Sequence, residues 1–331
     1  MNVPTWVWAL TLGVTVALLL VDVLVVGRRP HEPSRREVTL ALSLFIGLAV
    51  AFGIGVWLLA GPRYGTEFFA GWLTEYSLSV DNLFIFLLIM SRFGVPKAYQ
   101  QKSLLIGIVL ALVFRAVFIA IGAAAIVRFS WIFYLFGAFL IWTGAKLATE
   151  GDDEEDYHEN RLVRWARVVL PHTDEHREGR LWVREHGKWL VTPMFVVVVA
   201  LGTTDLLFAL DSIPAIFGLT NEPFLVLTAN IFALMGLRQL YFLLGDLLQR
   251  LVFLNYGLAF LLAFIGVKLV LEALHTNELP FVNGGHHVTW APEIPIVVSL
   301  GVIVGTLVVT TVLSLWYSAR HPRVHQPDRA G

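Results

Sequence analysis

Long apolar runs separated by short polar and basic stretches dominate this chain. Nine of them are long enough to cross a bilayer as helices: roughly residues 4–26, 38–60, 67–91, 103–127, 129–149, 194–217, 225–246, 252–272 and 293–317. None alternates with the period of two that a spanning β-strand requires. The pattern predicts an all-α polytopic membrane protein of about nine transmembrane helices. The first run differs from a secretory leader. It is too long, Arg28 and Arg29 follow it instead of preceding it, and it offers no small-residue cleavage site. It is expected to be a retained helix.

Composition strengthens this reading. The chain has 331 residues, of which 57% are hydrophobic and 15% charged, with mean hydropathy +0.71; soluble domains carry about 25% charged residues. A net charge of −1 argues against nucleic-acid binding. The absence of cysteine excludes disulfides, thiolate metal sites and cysteine nucleophiles. Any metal here must be held by oxygen or imidazole.

Lysine and arginine set the orientation. The connections after runs one, three, five and seven, with the C-terminal tail, hold 18 of the 24 basic residues. The opposite side has Arg63 and Arg128. This predicts a multi-pass protein of the inner (plasma) membrane, with the N-terminus outside and the C-terminus cytoplasmic. The 150–193 linker is then cytoplasmic. Its GDDEEDYHEN opening is expected to be a solvated, mobile run, with capture of divalent cations as the sharper alternative. Trp165, Val168, Val169 and Leu170 are candidates for a short interfacial helix. The outer loop 273–292 carries His275, His286 and His287, read as ordinary loop residues before metal ligands.

Against the apolar background, two acidic pairs stand out. Glu75 and Asp81 lie in EYSLSVDNLFIF, and Asp205 and Asp211 in TTDLLFALDSIPAIF. Both pairs are six residues apart, followed by Asn82 and Ser212 respectively. A carboxylate at membrane depth costs roughly 2.5–3.5 kcal/mol even on the lenient insertion scale. Other features recur with them. Tyr134, Gly144, Lys146, Leu147 and Glu150 match Tyr256, Gly266, Lys268, Leu269 and Glu272 at a constant offset, and Arg115 and Arg238 lie in runs four and seven. The chain therefore reads as one transmembrane domain made of repeat one (67–149), the linker (150–193), repeat two (194–272) and a final helix (293–317). Three spans per copy force the second to cross in the opposite sense, the inverted repeat of secondary transporters. That inversion sets Glu75 level with Asp211, and Asp81 level with Asp205.

Residues six apart on an intact helix differ by about 120° in direction and about 9 Å in height, so one ion is not easily held by both. Either the helix unwinds, as Pro214 suggests for the second motif, or each pair marks two stations on a path. Glu75, Ser79 and Asn82 share a face if the first helix stays regular. The expected ion ligands are Glu75, Asp81, Asn82, Asp205, Asp211 and Ser212, all hard oxygen donors suited to Mg²⁺, Mn²⁺ or Ca²⁺. Clustered carboxylates also bind protons, which makes protons a candidate coupling ion. Internal salt bridges are the competing explanation. Lys146 and Lys268 lie near helix ends, with Glu150 and Glu272 four residues on, which leaves Arg115 and Arg238 to balance the central acids. Asp22 is read as structural or interfacial. No HExxH motif is present and all ten histidines fall outside the apolar runs, so no enzyme activity and no tightly bound cofactor are expected.

The two acidic motifs and their surroundings resemble the TerC family of integral membrane proteins over about residues 5–320, and more distantly the LysE exporters. The resemblance implies outward movement of a divalent metal, Mn²⁺ first among them, and a link to tellurium resistance. Two other readings stand beside export of Mn²⁺. One is a membrane scaffold or metallochaperone that delivers metal to exported proteins or organises a stress-response complex. The other is export of a small organic cation.

Overall fold

The computed structural model describes residues 3–28, 33–129, 131–150, 181–185, 188–244, 252–275, 283, 286, 288 and 290–320. Among them are nine long helices: α1 (Thr5–Arg28), α2 (Arg35–Ala60), α3 (Pro62–Arg92), α4 (Lys97–Arg128), α5 (Ile132–Glu150), α6 (Pro193–Phe217), α7 (Pro223–Leu244), α8 (Leu254–His275) and α9 (Ile296–Arg320). The protein is an all-helical polytopic membrane protein. Seven of the helices, α2 and α4 to α9, are long and apolar enough to cross a membrane. α3 carries Glu67, Glu75 and Asp81, and the apolar described stretch of α1, Thr5–Leu18, is shorter.

Local chemistry places the helix ends. Ser34 caps α2 by accepting from the Glu37 amide at 3.2 Å, the Ser-x-x-Glu pattern of a capping box. Gly61, at φ 107°, turns the chain between α2 and α3, and Pro62 opens α3 where its missing N–H costs nothing. The unwinding expected around Asp211 does not occur. α6 runs unbroken to Phe217, with Pro214 in its last turn. So close to the end, the proline forfeits one hydrogen bond and leaves no following turn to kink.

Contacts between helices fix their directions. Gly107 and Gly122 of α4 meet Leu201 and Phe217 of α6, so these helices run parallel. Gly71 and Tyr76 of α3 meet Ala229 and Gly236 of α7, again parallel. α5 and α8 are antiparallel: Gly137 faces Gly266 and Gly144 faces Ala259. A Cβ on Gly266 would lie 2.8 Å from the Gly137 carbonyl oxygen and 3.0 Å from the Ile141 nitrogen. Gly266→Leu is therefore expected to cost about 1–3 kcal/mol by overpacking against backbone. Gly301→Ala in α9, which meets open space, is the neutral control, and thermal unfolding in detergent compares them.

The core lies between α3, α4, α6 and α7, with Leu83, Ile89, Leu104, Val197, Leu201 and Leu237 buried together. A second cluster joins α5 and α8 through Leu140, Leu261, Leu262 and Ile265. Many leucine and valine side chains of α1, α2 and α9, such as Leu10, Leu40, Leu58 and Val308, are exposed, as lipid-facing helices require, while Val38, Leu42 and Val56 turn α2 toward the core. Ahead of α6, β1 (Trp182–Glu185) and β2 (Lys188–Val191) form an antiparallel hairpin that the sequence reading did not anticipate. The acidic 151–160 run and the candidate interfacial helix at Trp165–Leu170 lie outside the described residues.

Candidate functional site

The centre of the molecule is a buried guanidinium. Arg115, in the middle of α4, is 0% exposed, and four other side chains reach it. Its Nε and Nη2 donate to Asp205 of α6, at 2.8 Å to Oδ2 and 3.0 Å to Oδ1, a bidentate pairing. Its Nη1 donates to Glu75 Oε1 of α3, to Ser212 Oγ of α6 at 3.2 Å and to Asn230 Oδ1 of α7 at 3.3 Å. Glu75, Asp205, Ser212 and Asn230 are each at most 1% exposed. Ser79 Oγ, one turn along α3, donates to Glu75 Oε1 at 3.4 Å. Glu75 Oε2 and Asn230 Nδ2 are buried without a hydrogen-bond partner among the described residues.

The charges do not cancel. Two ionised carboxylates against one guanidinium leave −1 in a space without water contact. Burying an uncompensated charge costs several kcal/mol, so one more positive charge belongs here. It can be a proton, for which the unpartnered Glu75 Oε2 offers the place, or it can be part of a cation. The oxygens that converge on Arg115 come from three helices and are all hard donors, the class that suits Mg²⁺, Mn²⁺ and Ca²⁺.

Of the residues singled out from the sequence, Glu75, Asp205, Ser212 and Arg115 come together. Asp211 does not join them. It is half-buried on the side of α6 that faces α5, where Thr143 Oγ1 donates to its Oδ1 at 3.3 Å. With α6 intact, the six-residue spacing sends Asp205 and Asp211 to different neighbours. The carboxylate that shares a guanidinium with Glu75 is Asp205, not its expected level partner Asp211. Asn82 and Arg238 are buried in α3 and α7, at 6% and 7% exposure. Asp81 and Asp22 belong to α3 and α1, but their side chains lie outside the described residues. Among the described residues no three His, Asp or Glu side chains are grouped as a metal site. In the outer loop, His275 Nε2 lies 2.9 Å from Glu293 Oε1, His286 is exposed and His287 is outside the described residues.

Among the buried polar residues that escaped the sequence reading, Asn230 and Glu67 bear on the site. Asn230 is the amide that completes the Arg115 shell. Glu67, eight residues before Glu75 on α3, is 4% exposed and accepts from Thr220 Oγ1 at 2.6 Å and from Arg63 Nε at 2.8 Å. That second hydrogen bond raises the Arg63 pKa above its ordinary value.

Comparison with known proteins finds matches over most of the chain. The profile of the integral membrane protein TerC family matches residues 60–322. An uncharacterized membrane protein of Mycobacterium tuberculosis (strain ATCC 25618 / H37Rv) is 47% identical over 318 residues, 95% of this chain and 80% of that protein. Relatives named putative membrane-bound redox modulator Alx are 38% identical over 322 residues in Escherichia coli (strain K12), covering 94% of this chain and 95% of that protein. The relative of that name in Salmonella typhi is 37% identical over 325 residues, 96% and 94% of the two chains. No solved structure matches.

Proposed function

Because the chain belongs to the TerC family of integral membrane proteins, we propose that it exports a divalent cation, Mn²⁺ first among them, across the cytoplasmic membrane in exchange for protons. The observation that carries this reading is the composition of the central cluster. Two carboxylates, a hydroxyl and an amide oxygen from α3, α6 and α7 surround one guanidinium at −1 net charge. Two states of this cluster are neutral. In one, Arg115 sits between the carboxylates and one of them carries a proton. In the other, a divalent ion takes the oxygens of both ionised carboxylates and the guanidinium has turned away. Passage from the first to the second releases a proton as the cation enters, which is the elementary step of antiport. Asp211 on Thr143 is a second station, and Asp81 and Asn82 extend the path along α3. Arg238 balances charge on α7 as Arg115 does on α4.

Helix directions support alternating access. α3 to α5 and α6 to α8 are read as inverted copies, since α3 lies along α7 as α6 lies along α4. The antiparallel α5–α8 contact fits the same relation: the 137·266 contact becomes 144·259 when the copies exchange. Such repeats place substrate at the midplane between them, and the basic-residue count sets which face of the protein is cytoplasmic.

The relatives' name, redox modulator, enters here as a second function class. With no cysteine in the chain, a redox role cannot run through a thiol of its own. It fits a protein that alters metal balance, or a scaffold working with partners. Tellurium resistance is read the same way, as a consequence of metal balance. Purified protein in liposomes is expected to move radioactive Mn²⁺ unaided under an imposed pH gradient, with excess Ca²⁺ or Mg²⁺ testing selectivity. No flux at any gradient would eliminate the exporter and favour the scaffold. Transport of a labelled small organic cation that excess Mn²⁺ does not compete with would favour the organic-cation reading.

A further inference from the structure

Glu67 has no role in the central cluster, yet it faces the same seam. Residues 67, 71, 75 and 79 recur every four positions and so form one stripe on α3. A Cβ on Gly71, between the two glutamates, would lie 3.3 Å from Ile216 Cγ2 of α6 and 3.5 Å from Ala229 Cβ of α7. These helices also supply Asp205, Ser212 and Asn230 to Arg115. Eight helical residues separate Glu67 from Glu75, about 12 Å along the axis. Toward the other end of α3 the buried side chains include apolar Leu83, Phe86, Val197, Leu201 and Leu237, with Asn82 of α3 and Arg238 of α7 also buried.

The bonds of Glu67 join parts that an opening motion must separate. Thr220 belongs to the turn between α6 and α7, and its Oγ1, which donates to Glu67 Oε2, also accepts from the Glu222 amide at 3.2 Å. The bond therefore ties α3 to the second set of helices. On the other carboxylate oxygen, Arg63 has a side chain 78% exposed, against 5% for Glu67. A buried acid is thus held from inside by a hydroxyl and from outside by an exposed cation.

We propose that the Glu67–Thr220 contact is the outer gate of the seam leading to Glu75 and Asp205, with Arg63 as its displaceable counter-charge. This inference rests on the transport reading for its purpose, but the gate has a readout that needs no transport. The chain is free of cysteine, so Ala229→Cys, buried beside Gly71 between the two glutamates, reports access to the seam. A membrane-impermeant thiol reagent applied to the outer face should label it slowly. Adding Thr220→Val or Glu67→Gln should speed labelling about tenfold or more, the scale of one lost charge-assisted hydrogen bond. Arg63→Gln, on an exposed residue that poses little risk to folding, should give a smaller increase. Unchanged labelling in all three variants, or a rise from the cytoplasmic face alone, overturns the gate and leaves Glu67 a structural staple. Faster outer labelling in a protein that moves no cation in liposomes keeps the gate and removes the exporter reading.

Discussion

Arg115→Met is expected to destabilise the protein more than any other single substitution in the seam. It leaves Glu75 and Asp205 buried against each other with no cation, Asp205 loses both of its charge-assisted bonds, and Ser212 and Asn230 lose their donor. Breaking a buried pair by removing one partner costs about 3–5 kcal/mol. The loss should appear as a large drop in unfolding temperature in detergent. The triple variant Arg115→Met, Glu75→Gln, Asp205→Asn should recover most of it, because no buried charge remains. Methionine roughly fills the space of the arginine stem and adds no polar group. An Arg115→Met protein as stable as wild type would mean that the guanidinium does not hold the two carboxylates together. The charge account of the site would then fail.

The sequence reading recognised the acids because a carboxylate in an apolar helix is conspicuous at any register. Arg115 was visible for the same reason. Asn230 was not, since a single amide in α7 carries no charge to explain and periodicity alone does not say which seam it faces. Glu67 was hidden by position: near the start of α3 a carboxylate resembles the acid that complements a helix N-terminus. Only the turn holding Thr220, which packs over it from the far end of α6, turns it into a buried group. The β1–β2 hairpin had a signal in the aromatic and β-branched residues Trp182, Val183, Trp189 and Val191, but the surrounding mixed charge read as linker. The pairing of levels went astray for a geometric reason. Helix direction gives the depth of a residue but not its azimuth. Side chains close to an axis relating two copies meet their own counterparts, and Glu75 and Asp205 are such counterparts at the first position of each motif. The intact α6 then carries Asp211 round to α5.

Asp205→Asn should separate stability from function, with a sign opposite to that of Arg115→Met. With asparagine at 205, the cluster holds one guanidinium and one carboxylate, Glu75. It is neutral without a proton, and the amide oxygen still accepts from Arg115. Unfolding temperature should stay at or above the wild-type value, as is common when a strained functional charge is removed. Export should fall by roughly 100-fold or more, equivalent to about 2.7 kcal/mol, for two reasons that reinforce each other. A divalent ion now meets one carboxylate instead of two, so its charge is half compensated. The guanidinium, no longer competing with a proton for balance, has no neutral state to move to when it leaves. Proton release on cation addition to the detergent-solubilised protein should vanish with it, and a pH-sensitive dye records that directly. Wild-type flux and proton release in Asp205→Asn would remove Asp205 from the exchange step and move the path to Asp211 and Asp81. The stability contrast between Asp205→Asn and Arg115→Met follows from the charge count of the cluster alone, so the loss of flux and of proton release in a stably folded Asp205→Asn protein is what assigns the carboxylate to exchange.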